Sequence, residues 1–228
     1  MKHPQAHIPA VLARLPLFQD LDSELLERLA SAARERCYAR GEVVFRVGER
    51  PTGLFVVTAG LIKEACMSPD GKEKILELVD AQQSFGESAL FLDTPFPYYA
   101  AALVDTRLLH IDRAIFLELA FSQPKLVQRL LRMLSGRVLT LVRDVESYAT
   151  HRHVQRVACY LISRCGDTVA PGASILLPAS KQVIASRLGM TPETFSRNLR
   201  DLVDAGLIVV RGDRISVPDL AELKAFAV

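Results

Sequence analysis

The stretch that decides the fold of this chain lies near its C-terminus and reads Thr191-Pro192-Glu193-Thr194-Phe195-Ser196-Arg197-Asn198-Leu199. Thr191 is a good N-cap, and Pro192 suits the first turn of a helix, where its missing N–H is not needed. Apolar side chains then recur at steps of four and three, which predicts a buried face formed by Phe195, Leu199 and Leu202. The opposite face is polar and charged, so the helix should pack on one side and be free on the other.

A second short amphipathic helix is predicted just upstream, over residues 180–188. Its apolar positions are Val183, Ile184 and Leu188. Gly189 follows and can adopt the left-handed conformation that ends one helix before the next begins. Ala185 is small enough to let the two helices cross closely. This order of helix, glycine turn and helix is typical of a helix-turn-helix that binds double-stranded DNA, and the alternative is an ordinary helix pair with a solvated face.

The polar face of the second helix carries residue types that can read base pairs. Arginine can donate two hydrogen bonds to guanine, and a carboxylate can accept one from cytosine. Glu193 and Arg197 are four residues apart and therefore lie one turn apart on the same face. Two simpler roles stay open, because Glu193 could merely complement the helix dipole and Arg197 could contact phosphate or solvent.

The run Glu193-Thr194-Phe195-Ser196-Arg197 resembles the Glu-x-x-Ser-Arg motif of the FNR branch of the CRP/FNR bacterial transcription regulators. The resemblance extends over almost the whole chain. It implies a palindromic promoter site with half-sites of the TTGAT type, RNA polymerase as a partner, and base reading by Glu193, Ser196 and Arg197. Further DNA contacts are predicted for Thr194, Arg200, Lys181, Arg211 and Arg214.

Length and charge agree with a regulator that has two domains. The chain has 228 residues and a net charge of +2, and residues 150–228 hold 10 Lys+Arg against 7 Asp+Glu. This basic excess lies with the predicted DNA-binding part, as phosphate contacts require. No run of about 18 apolar residues is present, and the N-terminus lacks a signal-like apolar core. We therefore expect a cytoplasmic protein without a membrane segment.

The cysteines bear on the choice of cofactor. Cys37, Cys66, Cys159 and Cys165 are scattered and form no CxxC pair, and residues 1–30 contain no cysteine. The FNR protein itself uses an N-terminal cysteine cluster. We therefore expect no iron–sulfur cluster and ordinary reduced thiols.

From residue 41 to residue 111 the chain consists of short apolar runs separated by turn signals, which predicts an antiparallel barrel or jelly roll. Strands are predicted at residues 43–45, 54–57, 61–65 and 74–79, and Ser68-Pro69-Asp70-Gly71 predicts a hairpin turn. A helix should precede the barrel, over residues 21–33.

Residues 84–91 resemble the phosphate-binding cassette of cyclic-nucleotide-binding barrels. In that cassette a glutamate, matched here by Glu87, binds the ribose, and an arginine about ten residues later holds the phosphate. No arginine occupies the corresponding positions, where the chain reads Thr94-Pro95-Phe96-Pro97-Tyr98-Tyr99-Ala100. A buried phosphate would lose its main partner, so cyclic AMP is disfavoured. The predicted effector pocket is instead apolar and aromatic, or these residues simply fill the barrel: Phe85, Glu87, Leu90, Phe91, Tyr98 and Tyr99.

The run Phe91-Leu92-Asp93-Thr94-Pro95, taken with the motif at 193–197, resembles the DNR branch of the same family. This resemblance implies a nitric oxide response through haem. The adjacent histidines of that branch are missing, however, since Leu15-Pro16 stand before Leu17-Phe18. Candidate haem ligands are His3, His7 and His110; His151 and His153 could also bind haem iron, or they could simply contact phosphate or solvent.

A long helix is predicted from Pro124 to Thr150. Its apolar residues alternate at steps of four and three, which is the pattern of a coiled-coil seam. The predicted dimerisation seam consists of Val127, Leu131, Leu134, Val138, Leu141, Val145 and Tyr148. A second stripe (Leu126, Leu130 and Met133) should dock the helix against its own barrel. A parallel homodimer would then place two recognition helices in successive major grooves.

The expected fold is therefore α+β, with a cyclic-nucleotide-binding-type barrel over residues 1–123, a dimerisation helix over 124–149 and a winged helix-turn-helix over 150–228. The wing is predicted as a hairpin of residues 207–210 and 215–217, followed by a helix at 220–226. Alternatives are a regulatory module that binds no DNA, a regulator of another small molecule, and an activator that needs no ligand. We expect no enzyme, since the sequence shows no glycine-rich phosphate loop, catalytic triad order or metal-ligand spacing.

Overall fold

The computed structural model of the chain describes residues 8–165 and 173–227. The chain divides into two compact units, Met1–Arg137 and Val138–Val228, and the division falls inside one long helix. Within the described ranges, no helix is long and apolar enough to cross a membrane.

The first unit contains two short helices, a β-sandwich and the helices that cover it. Its helices are α1 (Ile8–Ala13), α2 (Ser23–Ala32), α3 (Glu87–Leu92), α4 (Arg113–Ser122) and the first part of α5 (Pro124–Thr150), with a 3₁₀ turn at Pro16–Phe18. Its strands are β1 (Ala33–Tyr38), β2 (Val43–Phe45), β3 (Gly53–Ala59), β4 (Leu61–Met67), β5 (Glu73–Asp80), β6 (Ser84–Phe85), β7 (Tyr99–Ala102) and β8 (Thr106–Asp112).

These strands form two antiparallel sheets, in the orders β1-β8-β3-β6 and β2-β7-β4-β5. The predicted jelly-roll barrel is confirmed, and so is the hairpin at residues 68–71, where Gly71 has a φ of 80°. Strands β1, β6, β7 and β8 complete the sandwich beside the four predicted strands.

Strand β3 is apolar without alternation because both of its faces are covered. Leu54 and Val56 pack in a cluster formed with α1, α2, α4 and α5, while Phe55 and Val57 pack in the interior between the two sheets. Two rings in that interior, Phe45 and Phe96, stack with their centroids 3.6 Å apart. The barrel interior is therefore mostly a packed aromatic core.

Helix α5 has the bounds that its heptad pattern predicts, and it presents two different faces. Leu126 and Leu130 are buried in the helical cluster, and Met133 packs against it, so the predicted docking stripe is confirmed. On the seam, Val127 and Leu134 are half-buried and the other five residues are exposed, with Val145 68% exposed. Such an apolar seam is typical of a helix that pairs with a second copy.

In the described part of the second unit, four helices besides the last part of α5 pack with a small sheet. They are α6 (His153–Cys165), α7 (Lys181–Arg187), α8 (Pro192–Asp204) and α9 (Leu220–Ala227). The strands β9 (Ala173–Leu176), β10 (Val209–Arg211) and β11 (Arg214–Val217) form an antiparallel sheet in the order β10-β11-β9. The predicted hairpin is confirmed, but its first strand begins at Val209, because Leu207 and Ile208 are buried in the core of the unit.

Candidate functional site

The recognition helix α8 begins as its sequence predicts. The hydroxyl of Thr191 accepts a hydrogen bond from the backbone N–H of Thr194, 3.2 Å away, and Pro192 stands in the first turn. Gly189, with a φ of 66°, forms the turn that separates α7 from α8. Phe195, Leu199 and Leu202 are buried, as predicted, together with their neighbour Asn198. The helix-turn-helix is thus fixed by packing on one face alone.

The other face of α8 is available to a partner. Glu193, Arg197 and Arg200 are exposed, and Ser196 and Thr194 are half-buried beside them. The pKa of Glu193 is lowered by a hydrogen bond from its own backbone N–H and by one from the Thr191 side chain. Glu193 therefore carries a full negative charge at neutral pH and can accept hydrogen bonds from a base amino group.

The remaining predicted DNA contacts lie on two other elements of the same unit, and all are exposed. Lys181 begins α7, directly after the capping residue Ser180. Arg211 and Arg214 are partners across the β10–β11 hairpin, the predicted wing. Exposed arginines on a hairpin suit contacts to phosphates.

An ion pair that the sequence analysis missed joins the last part of α5 to α7. Arg187 Nη2 lies 2.5 Å from Asp144 Oδ2, and the Tyr148 hydroxyl donates a hydrogen bond to the Arg187 carbonyl oxygen at 2.8 Å. Tyr148, assigned to the dimer seam, thus also contacts the helix-turn-helix. The first helix of the motif is therefore held directly by α5.

The first unit contains a cluster of buried and half-buried polar side chains, here called the polar chamber. It consists of Glu64, Glu77, Ser84, Glu87, Tyr98 and Arg137. Glu87 begins α3 after Gly86, whose φ of 85° turns the chain inward, and it is only 1% exposed. Its carboxylate accepts hydrogen bonds from the Ser84 hydroxyl and from Arg137 Nη1, the latter at 2.8 Å.

Arg137, on α5, was not predicted as a residue of the polar chamber. Its guanidinium bonds Glu87 and the Ser84 carbonyl oxygen, and its Nε lies 3.4 Å from Glu77 Oε1. A signal was present in the sequence, since Arg137 follows Met133 by four residues and so continues the docking stripe. A cation is therefore present beside Glu87, but it comes from α5 and is already paired with carboxylates.

Glu64 is the least satisfied member of the polar chamber. It is 5% exposed, and its Oε1 has no hydrogen-bond partner within the part of the chain that the structure describes. Burial, followed by repulsion from Glu77 and Glu87, raises the pKa of Glu64 to about 8. Burial also raises the pKa of Tyr98, which is close to Glu64. Both groups are therefore neutral at pH 7.

The predicted effector pocket needs correction, because its six residues do not converge. Only Glu87 and Tyr98 belong to the polar chamber, while Phe85 fills the interior against Phe55, with ring centroids 5.2 Å apart. Leu90 and Phe91, on α3, point away from the polar chamber. Leu90 is buried in the helical cluster, and the Phe91 ring contacts those of Phe116 and Phe121. Tyr99 precedes Ala100 on β7 and therefore points to the opposite face of the sheet. There its hydroxyl donates a hydrogen bond to Glu73, beside Lys63.

The described residues do not fit a haem. His110 lies on β8, its Nε2 is 3.0 Å from the Thr52 hydroxyl, and its ring centroid is 4.9 Å from that of Phe55. Burial lowers the pKa of His110, so the ring is neutral, yet these contacts would have to break before it could bind iron. The interior rings fill the space that a porphyrin would need. His3 and His7 lie outside the described residues.

Comparisons with known proteins identify both units. Residues 35–123 match the cyclic nucleotide-binding domain, and residues 155–226 match the Crp-like helix-turn-helix domain. A CRP-like cAMP-activated global transcriptional regulator of Mycobacterium tuberculosis is 24% identical over 93% of this chain and 96% of its own length.

Two solved structures extend the likeness over the fold. A protein of Ruegeria pomeroyi DSS-3, provisionally described as a cyclic nucleotide binding protein, is 30% identical with a TM-score of 0.63 and covers 99% of both chains. A transcriptional regulator of the CRP/FNR family from Thermus thermophilus is 25% identical with a TM-score of 0.65, over 85% of this chain and 98% of its own. With the helix-turn-helix and the β-sandwich in place, the chain belongs to the CRP/FNR family of DNA-binding transcription regulators.

Proposed function

We propose that the protein is a homodimeric transcription regulator that reads a palindromic TTGAT-type promoter site through Glu193, Ser196 and Arg197. The observation that carries this proposal is the polar face of α8, which is exposed while its opposite face is fully buried. Glu193 and Arg197 lie one turn apart on that face, so they can address the two members of one G·C pair or of neighbouring pairs.

The exposed seam of α5 supports the dimer. Large apolar side chains at heptad spacing remain uncovered in a single chain, and a second α5 in parallel would cover them. Two copies of α8 would then face successive major grooves, which matches a palindromic site. Arg211, Arg214 and Lys181 would hold the phosphates, and RNA polymerase would be the partner of an activator.

The effector is proposed to be a small molecule other than cyclic AMP. No arginine follows Glu87 in the cassette, and Arg137, the cation beside Glu87, is held by two carboxylates. A phosphate entering the polar chamber would meet the carboxylates of Glu77 and Glu87, which already pair with Arg137, so repulsion would oppose its binding. Calorimetry should detect no cyclic AMP binding at micromolar concentration, and binding in that range would overturn this part.

Nitric oxide sensing through haem stays a prediction that depends on residues outside the described ranges, His3 and His7, or on a displaced His110. Its test is a haem titration of the full-length protein. A Soret band with sharp stoichiometry, and higher affinity for the TTGAT-type site after nitric oxide is added, would support it. Loose haem binding without effect on DNA affinity would favour another ligand or a regulator that needs none.

The DNA assignment is tested by fluorescence anisotropy on a duplex with the palindromic TTGAT-type site and on a duplex with both half-sites scrambled. We expect at least a roughly thousandfold preference for the palindrome, the lower end of the range for specific DNA-binding proteins. Equal affinity for the two duplexes would contradict the proposal. In vitro transcription from a promoter with the same site then tests activation and the contact with RNA polymerase.

A further inference from the structure

We propose that the polar chamber binds a compact organic cation, whose primary ammonium group is held by the carboxylate of Glu64 and lies near those of Glu77 and Glu87. The inference deepens the proposed function, since it takes the barrel to be the sensing unit and names the chemical class of its effector.

The strand register brings the acidic side chains to one place. Glu64 on β4 lies opposite Glu77 on β5 and opposite Ala100 on β7. Directly paired residues in antiparallel strands point to the same face of the sheet, so Glu77 and Ala100 face the interior together with Glu64. Ala100 contributes only a methyl group, and no long side chain from β7 covers Glu64 at that position.

The chamber contains one acceptor oxygen, on Glu64, that no donor of the described residues reaches. It holds three carboxylates and one guanidinium, and Arg137 directs its nitrogens to Glu87, the Ser84 carbonyl oxygen and Glu77. The only side-chain hydrogen bond assigned to Glu64 is with Tyr98, and its Oε1 has no partner among the described residues. Buried polar atoms in native proteins are nearly always bonded, so this oxygen marks the position of a donor that is not part of the chain.

The charges select the kind of donor. An anion would be repelled by Glu77 and Glu87, whereas a cation would replace the proton of Glu64 and form an ion pair with its carboxylate. A metal ion is not favoured, because no group of three His, Cys, Asp or Glu side chains in the described residues is arranged to hold one. An ammonium group carries three N–H donors and no acceptor, which matches a chamber rich in oxygen acceptors.

The direct test is a calorimetric titration of the full-length protein, without DNA, with methylammonium chloride at pH 7 and pH 9. The groups around Glu64 are Glu77 from β5, Glu87 from α3, Arg137 from α5 and Tyr98 before β7. Because the pKa of Glu64 is about 8, ammonium binding must displace its proton at pH 7. We expect millimolar affinity at pH 9 and about tenfold weaker affinity at pH 7, with release of a proton.

Matched variants and probes make the outcome decisive. Glu64→Gln should weaken methylammonium binding at least about tenfold, and Glu49→Gln, on the exposed surface, should leave it unchanged. The inference is overturned if methylammonium gives no heat at pH 9, if Glu64→Gln binds it like the wild type, or if potassium, methanol or cyclic AMP binds as tightly. Should Glu64→Gln fail to fold, the wild-type protein still decides, because absence of methylammonium binding at pH 9, or equal binding of potassium or methanol, overturns the inference. Failure of the proposed DNA binding would appear only in the anisotropy experiment, so the two results are separable.

Discussion

Arg137 Nη1 lies 2.8 Å from Glu87 Oε2, and this ion pair fastens the middle of α5 to the first turn of α3. The Glu87 side chain is 1% exposed and that of Arg137 is 22% exposed, so water screens the pair only from the side of the arginine. In this arrangement the glutamate of the cassette is neutralised by the helix that carries the dimer seam.

Removing this arginine should destabilise the first unit. Arg137→Ala leaves the buried carboxylate of Glu87 with the Ser84 hydroxyl as its remaining partner, which should lower the free energy of unfolding by about 3 kcal/mol. Urea denaturation measures the loss. Arg132→Ala, an exposed arginine of the same helix, is the matched control, and the double variant Arg137→Ala/Glu87→Gln should recover part of the loss. A single variant as stable as Arg132→Ala would show that the pair contributes nothing.

The two classes of predicted DNA contact should respond differently to mutation. Arg197→Ala should flatten the preference for one guanine and cost roughly 1–3 kcal/mol of discrimination there, with non-specific affinity largely retained. Arg211→Ala should weaken binding to every sequence equally and reduce the salt dependence by about one phosphate contact. Anisotropy titrations on duplexes changed at single base pairs, repeated at several salt concentrations, separate these results. If Arg197→Ala instead weakens all sequences alike, Arg197 contacts phosphate.

The dimer seam can be tested with one charge. Leu134→Glu places two carboxylates against each other on the two-fold axis, where burial without partners is costly. Light scattering should show a monomer, and affinity for the palindromic site should fall because one half-site is too weak. Gln128→Glu adds the same charge off the seam, at a position that no seam residue covers, and should remain dimeric. A tight Leu134→Glu dimer would mean that two chains associate elsewhere.

Glu64 should make the stability of the protein depend on pH. Its pKa is raised from 4.5 to about 8 in the folded chain, so the folded state keeps a proton that the unfolded state releases. The contribution of this group to the free energy of unfolding is therefore fully present at acidic pH and is lost as the pH rises towards about 8. The free energy of unfolding should fall by at most about 1.4 kcal/mol per pH unit. Urea denaturation from pH 5 to pH 9 should show this decline in the wild type and in Glu49→Gln but not in Glu64→Gln. Parallel curves for all three proteins would contradict it.

The sequence predicted those elements whose signals are local. The bounds of α5 and α8 follow from Pro124, Thr191 and the spacing of apolar residues, and the turn at residues 68–71 follows from its Pro-Asp-Gly. The residues proposed to read bases could be named for the same reason, because they share one helix face, and that role stays a prediction. These predictions required no knowledge of distant contacts.

The polar chamber could not be predicted in this way, because its members come from separate parts of the chain. Glu64 and Glu77 meet through strand register, and Arg137 reaches them only after α5 docks. The pocket prediction failed at Phe91 and Tyr99 because the direction of a side chain on a short helix or strand depends on local turns such as that at Gly86. Strand β9 was missed for a related reason, since its pairing with β11 joins residues that are distant in the sequence.

The bare seam of α5 also affects how the amount of protein controls its activity. A chain that leaves Leu131, Leu141 and Val145 exposed gains stability from each encounter with a second chain, so its melting temperature should rise with protein concentration. Below the dissociation constant of the dimer, the number of pairs falls with the square of the number of chains, and halving the chains leaves about a quarter of the pairs. Gene dosage would then act on the target promoters more steeply than in direct proportion.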